Sequence, residues 1–202
     1  MAPSKEASAR SLPPGQATAV VTFVLGWDRQ ALLWVNAHHH RVLDAILLAV
    51  SFVGEMGGLW IVVGLALLAI GRPRYRRTAA MLLVTMIVVD RMIAAPLGHW
   101  VYRERPYLVI EGIRQVGHRW AGSSFPSGHA HSVWVATIIL SKQWRRLRTP
   151  LIVFSVLTCY ARPYLGMHYP LDVIVGAALG IGGGFAALGV ERLWRRVKED
   201  SR

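Results

Sequence analysis

Cysteine is nearly missing: Cys159 stands alone inside an apolar stretch, so no intrachain disulfide can form. Its surroundings mark it as a small buried hydrophobe. Charge is scarce as well, at 17% of residues, below what a soluble domain of this size carries. Acidic residues are the scarcer sign, with 11 against 23 Lys and Arg, which leaves a net charge of +12. Such an excess would suit nucleic acid if it lined one polar face. Here the basic residues fall in short bursts between apolar tracts, as membrane proteins distribute them, and no nucleic-acid partner is expected. The few carboxylates are scattered along the chain, which leaves no clustered metal ligands and no expected cofactor.

What is abundant is apolar sequence, 53% of 202 residues, enough for one domain. Residues 1–16 are rich in Pro, Ser and Ala without periodicity and read as a disordered tail. Asp28 and Arg29 interrupt the following apolar stretch, which argues against a cleaved signal peptide. Residues 17–41 read instead as an interfacial segment, with an amphipathic helix over Thr18–Ala37 anchored by Trp27 and Trp34. Val42 to Ile70 would make a helix about 43 Å long against a hydrocarbon core of roughly 30 Å. It must tilt, protrude or break near Gly54, Gly57 and Gly58. Further apolar tracts cover Thr78–Leu97, Ala130–Leu140, Pro150–Tyr160 and Leu171–Val190. The expected architecture is an all-α, polytopic membrane helix bundle of five or six transmembrane helices behind the N-terminal interfacial helix. Residues 42–191 form its membrane domain and 192–202 a basic cytoplasmic tail.

Arginine and lysine crowd three connections: Arg72–Arg77, Lys142–Arg148 and Arg192–Lys198. The positive-inside rule makes these cytoplasmic and places the loops 98–128 and 161–170 together on the opposite face. Arg103, Arg105, Arg114 and Arg119 lie in the first of those loops, against the rule, which suggests an anionic ligand there. Gly176, Gly180 and Gly184 repeat at i, i+4 and i+8 in the last span, a stripe suited to close packing inside the bundle or, alternatively, to a homodimer contact. His38-His39-His40 reads as a solvated run, since three adjacent histidines cannot all face one ion in regular structure. Asp44 and Glu55 are functional candidates by their apolar setting. Asp90 and Arg91 can pair with each other or across helices.

The outer loops carry three compact motifs. Arg103-Glu104-Arg105-Pro106 is the first and Phe125-Pro126-Ser127-Gly128-His129 the second. The third runs Arg162-Pro163-Tyr164-Leu165-Gly166-Met167-His168-Tyr169-Pro170-Leu171-Asp172. Ser127 stands where an N-cap belongs, so Gly128 and His129 would open a helix whose free N–H groups and dipole suit a phosphate. Pro170 is favoured at the first position of the next helix, which puts His168 just outside it and Asp172 in its first turn. From there Asp172 can hold one nitrogen of His168 and leave the other as a nucleophile. Singly, each motif is equally well a capped helix or a headgroup anchor. Together, on one membrane face, two histidines, an aspartate, a helix start and several arginines make a phosphoryl-transfer constellation.

The order Arg-Pro, Pro-Ser-Gly-His, then Arg-x5-His-x3-Asp resembles the type-2 phosphatidic acid phosphatase superfamily, over about Thr78 to Val190. The resemblance implies a metal-independent lipid phosphatase in which His168 attacks phosphorus to form a phosphohistidine, with Asp172 supporting it. It implies that His129 protonates the leaving oxygen and that Arg105, Ser127, Gly128 and Arg162 hold the phosphoryl oxygens. The chain departs from the pattern twice: Gly98 stands where the family usually has Lys, and Ala161 where it usually has Ser. Arg103 is the expected substitute for that lysine, as a further phosphate ligand. The implied substrates are polyprenyl diphosphate, phosphatidic acid or phosphatidylglycerol phosphate, in that order, with lipid A also open. The site would face the extracytoplasmic side of the plasma membrane. The apolar tracts argue against a vanadium haloperoxidase; a non-catalytic lipid-phosphate binder or transporter on the same fold is the alternative.

Overall fold

A computed structural model describes residues 14–54 and 57–201, with side chains from residue 21 onward. Glu55 and most of the N-terminal tail lie outside the described residues. Every regular element among those described is helical: α1 (Pro14–Ala37), α2 (Arg41–Val53), α3 (Gly58–Ala69), α4 (Pro73–Ile87), α5 (Ala95–Val101), α6 (Pro106–Val109), α7 (Gly128–Gln143), α8 (Arg148–Tyr164) and α9 (Pro170–Asp200). A π-helical segment, Val88–Ala94, joins α4 to α5.

The long tract 42–70 does break. His40 caps α2 by accepting from the Val42 N–H at 3.3 Å. Gly57 then adopts a left-handed φ of 72°, and α3 leaves bent by 47° from α2. Two helical stretches, Pro73–Val109 and Pro170–Asp200, are long and apolar enough to cross a bilayer, and the bent α2–α3 pair is a third candidate. The chain is a membrane protein: large apolar side chains such as Ile61, Val62, Val84, Val153, Ile174 and Phe185 face outward, an arrangement water would not tolerate.

Helix α7 is the centre of the bundle, buried from His129 to Leu140 on most of its faces. The glycine stripe of α9 packs directly on it. A Cβ at Gly176 would stand 2.5 Å from the Ser127 carbonyl oxygen, one at Gly180 2.3 Å from that of His131, and one at Gly184 2.7 Å from Ile138. The stripe thus serves close helix approach inside the chain.

Helix α1 packs by one face only. Asp28, Leu32 and Asn36 are buried, while Trp27 and Trp34 are exposed. Asn36 donates to the carbonyls of Arg114 and Tyr164 at 2.8 and 2.9 Å, which ties the helix to both outer loops. The three basic clusters meet at one end, where Arg74, Arg77, Lys142 and Arg195 border a common cavity. The three outer-loop motifs occupy the other end of α7 and α9.

Candidate active site

The junction of α8 and α9 positions His168. Its Nδ1 donates to the Ser124 carbonyl at 2.7 Å, with Asp172 Oδ2 at 3.7 Å. The carbonyl therefore fixes the tautomer, and Asp172 acts from a longer distance than the sequence suggested. With the proton on Nδ1, the lone pair of Nε2 faces outward, 3.4 Å from a guanidinium nitrogen of Arg105. Burial, with Arg162 and Arg105 nearby, pulls the His168 pKa from 6.5 down to about 4, although Asp172 opposes the shift. The imidazole is neutral at pH 7, which leaves the Nε2 lone pair available.

Asp172 is fully buried and fully used. Oδ2 accepts from the Tyr169 N–H at 2.9 Å, closing the first turn of α9. Its own carbonyl accepts from the Ser127 N–H at 2.9 Å, which locks the start of α9 to the start of α7. Oδ1 accepts from Arg103 at 2.8 Å.

That last contact corrects an expectation. Arg103 does not stand among the groups facing the cavity. Its guanidinium bridges Asp172 and the buried Asp28, at 2.8 and 2.6 Å, and lies 3.5 Å above the Tyr169 ring. Two buried carboxylates would be left uncompensated without it, and that demand outweighs a distant ligand. Arg114 is likewise committed, to Asp44, which also accepts from the Tyr164 hydroxyl at 2.8 Å. Arg119 reaches Gln115. Of the four arginines in the outer loop, Arg105 alone turns into the cavity.

Ser127 is the N-cap of α7, but its hydroxyl makes no capping bond; it is buried without a hydrogen-bond partner among the described residues. The N–H groups of Gly128 and His129 are thus left at the helix start, as an anion site requires. His129 and Gly128 line the cavity together with Arg105, Arg162 and His168. Arg162 is almost completely buried and donates to the Ser51 hydroxyl of α2. The cavity holds about 490 Å³. Its opposite wall is apolar, made by Ile61, Leu65, Leu83, Met86 and Ile87.

Residues 79–196 match the PAP2 superfamily along more than half of the chain. The chain belongs to that superfamily. Relatives include a lipid A 4'-phosphatase of Bacteroides thetaiotaomicron, 28% identical, covering 90% of this chain and 85% of its own. Undecaprenyl-diphosphatase BcrC of Bacillus subtilis is 28% identical over 74% of this chain and 75% of its own. The PAP2-type phosphatidylglycerolphosphate phosphatase of Bacillus subtilis superposes with a TM-score of 0.69 at 22% identity, covering 84% of this chain and 86% of that one. Aquifex aeolicus LpxE gives 0.67 at 23% identity, covering 79% and 93%. These last two likenesses speak for the fold.

This PAP2 chain has a steric reason for Gly98 where the family pattern has Lys. A Cβ there would stand 2.5 Å from the Phe125 carbonyl oxygen, so no lysine fits. The sequence reading missed His131 and the role of Asp28 at the site, while the pairing it allowed between Asp90 and Arg91 does form. Asp28 accepts from the Leu171 N–H at 2.8 Å and steadies the start of α9. Asp90 pairs with Arg91 at 3.1 Å and also faces His131 Nε2 at 3.4 Å. His131 lines the cavity two residues after His129. Its only sequence signal was an extra histidine in a buried helix. The three histidines His38–His40 turn to separate backbone partners, Trp34, Asn36 and Val42.

Proposed function

We propose that this chain is an integral-membrane lipid phosphatase working through a phosphohistidine, without a metal. The observation that carries the reading is the aim of His168. Its lone-pair nitrogen faces a cavity beside Arg105 and the open start of α7, with an apolar wall opposite for a lipid chain. His168 Nε2 attacks phosphorus, and the N–P bond forms as the P–O bond to the lipid breaks. His129 gives its proton to the leaving oxygen. It then takes one from the water that releases phosphate and restores His168. Arg105, Arg162 and the N–H groups of Gly128 and His129 hold the phosphoryl oxygens, with Ser127 beside them. This cationic cradle supplies the charge compensation that a metal gives elsewhere.

In the membrane, α2 and α3 count as one bent span, because 12 or 13 residues cover only about 20 Å each. With the α4–α5 unit, α7, α8 and α9 this makes five spans, and α1 lies at the interface. The basic end faces the cytoplasm and the site faces outward across the plasma membrane. Polyprenyl diphosphate leads the substrates, followed by phosphatidic acid and phosphatidylglycerol phosphate; the names of the relatives support lipid phosphates as the class. The test is phosphate release from a panel of purified lipid phosphates in detergent with chelator present, and its block by vanadate. Release from none of them, or release that needs an added divalent ion, overturns the reading.

A further inference from the structure

His131 has no part in the chemistry above, yet it is one of the most constrained polar groups near it. It is 4% exposed, and neither ring nitrogen has a hydrogen-bond partner among the described residues, although Asp90 Oδ1 stands 3.4 Å from Nε2. Helical side chains lean toward the N-terminus, and the ring of His131 does so. Its Nε2 lies 3.8 Å from where a Cβ on Gly128 would be, over the first turn of α7. That places the ring beside the phosphoryl cradle.

His131 also stands on a wall between two spaces. One is the main cavity with His168 and Arg105. The other is a side chamber of about 330 Å³ that reaches Gly98, His99 and Tyr102. Gly98 lines the chamber with bare backbone. Among the described residues that line it, Asp90 is the only carboxylate, and His131 and His99 are the only side chains able to carry positive charge. Asp90 reaches it from the π-helical segment, a wide turn that costs stability and recurs at functional sites. Arg91 offsets Asp90 from the exposed side, at 3.1 Å. With Nε2 turned toward Asp90, Nδ1 is the ring nitrogen left for a ligand.

We infer that His131, held by Asp90, forms a second anion subsite beside the phosphoryl cradle and takes the second phosphate of a lipid diphosphate. The inference rests on the phosphatase reading for its substrate class but not for its test. A diphosphate would place its terminal phosphorus before His168. The phosphate that stays with the lipid would then lie against His131, at the mouth of the side chamber. A lipid monophosphate has nothing to offer there.

The experiment compares two pairs of ligands on the full-length protein in detergent. A prenyl diphosphate and a prenyl monophosphate of equal chain length report kcat/KM. The matching methylenediphosphonate and phosphonate, which cannot be hydrolysed at the bridge, report Kd. His131→Ala should lower the diphosphate-to-monophosphate ratio of both quantities by about tenfold to a hundredfold, the range of one lost charge-assisted contact. Asp90→Asn should lower it in the same direction. His131→Asn, whose amide N–H comes near the Nδ1 position, should recover part of the loss. A ratio within twofold of wild type in His131→Ala overturns the subsite. So does a fall of both ligands together, the mark of a merely structural histidine. A wild-type protein that hydrolyses neither ester, yet prefers the diphosphonate through His131, would overturn the phosphatase reading and leave the subsite standing.

Discussion

At the scale of single residues, the site depends on which groups are free to face a ligand and which are already committed. Arg103 is committed. Removing it strands Asp28 and Asp172, both fully buried, so Arg103→Ala should destabilise the protein by about 3–5 kcal/mol. Thermal unfolding in detergent reads that loss directly; an unchanged midpoint with a raised KM would restore Arg103 as a phosphate ligand. Gly98→Lys should likewise impair folding, because its Cβ would meet the Phe125 carbonyl. His168 faces the cavity, and in the proposed mechanism its titration sets the acid limit of activity. The nucleophile works when unprotonated, so kcat/KM should hold as pH falls past 6.5 and drop only on approaching about 4. An acid limb near 6.5 would mean that burial does not act on His168 as the geometry implies. The motifs made His129, His168, Asp172, Arg105 and Arg162 legible in the sequence, because each sits at a fixed offset from a Pro or Gly that marks a helix edge. The fate of Arg103 was not legible. Its partner Asp28 lies 75 residues upstream, on a helix whose apolar pattern suggested contact with lipid and no contact with the site.

At the scale of elements, the contact between α7 and α9 joins the two halves of the site. Ser127 N–H to Asp172 O is the bond that sets their register, and Gly176 sits against the same Ser127. Gly176→Ala should therefore push the start of α7 away, costing about 1–3 kcal/mol by overpacking. It should cost more in rate than in stability, since small misplacements of reacting groups cost up to about a hundredfold. Gly182→Ala meets nothing within 4 Å and should be neutral or slightly stabilising, a control for helix propensity. Equal effects of the two substitutions on kcat would remove α7–α9 register from the account. The stripe was visible as a pattern of small residues, but a pattern does not name its partner helix. The break of the 42–70 tract was visible as an excess of length, and the left-handed Gly57 resolved it. The π-helical segment left no mark in an apolar run that reads as uninterrupted helix, and with it the facing of Asp90 stayed hidden.

At the scale of the whole molecule, charge and chemistry separate to opposite ends of the bundle. The basic clusters, scattered along the sequence, converge on one cavity, while all three motifs lie at the far ends of the same helices. Orientation follows if the positive-inside rule holds. In a Cys159→Ala background, Glu111→Cys should react with an impermeant thiol reagent from outside intact cells and Arg76→Cys only after permeabilisation. Labelling of both from one side would overturn the outward-facing site. The central claim is the covalent step at His168. Incubation with a lipid diphosphate carrying a radiolabelled terminal phosphate, stopped in alkali to preserve phosphohistidine, should label the wild-type protein. His168→Ala should show no label, and His129→Ala should retain it when the leaving group is good, because a stable leaving anion needs less protonation. Label that persists in His168→Ala and disappears in His129→Ala would contradict the account.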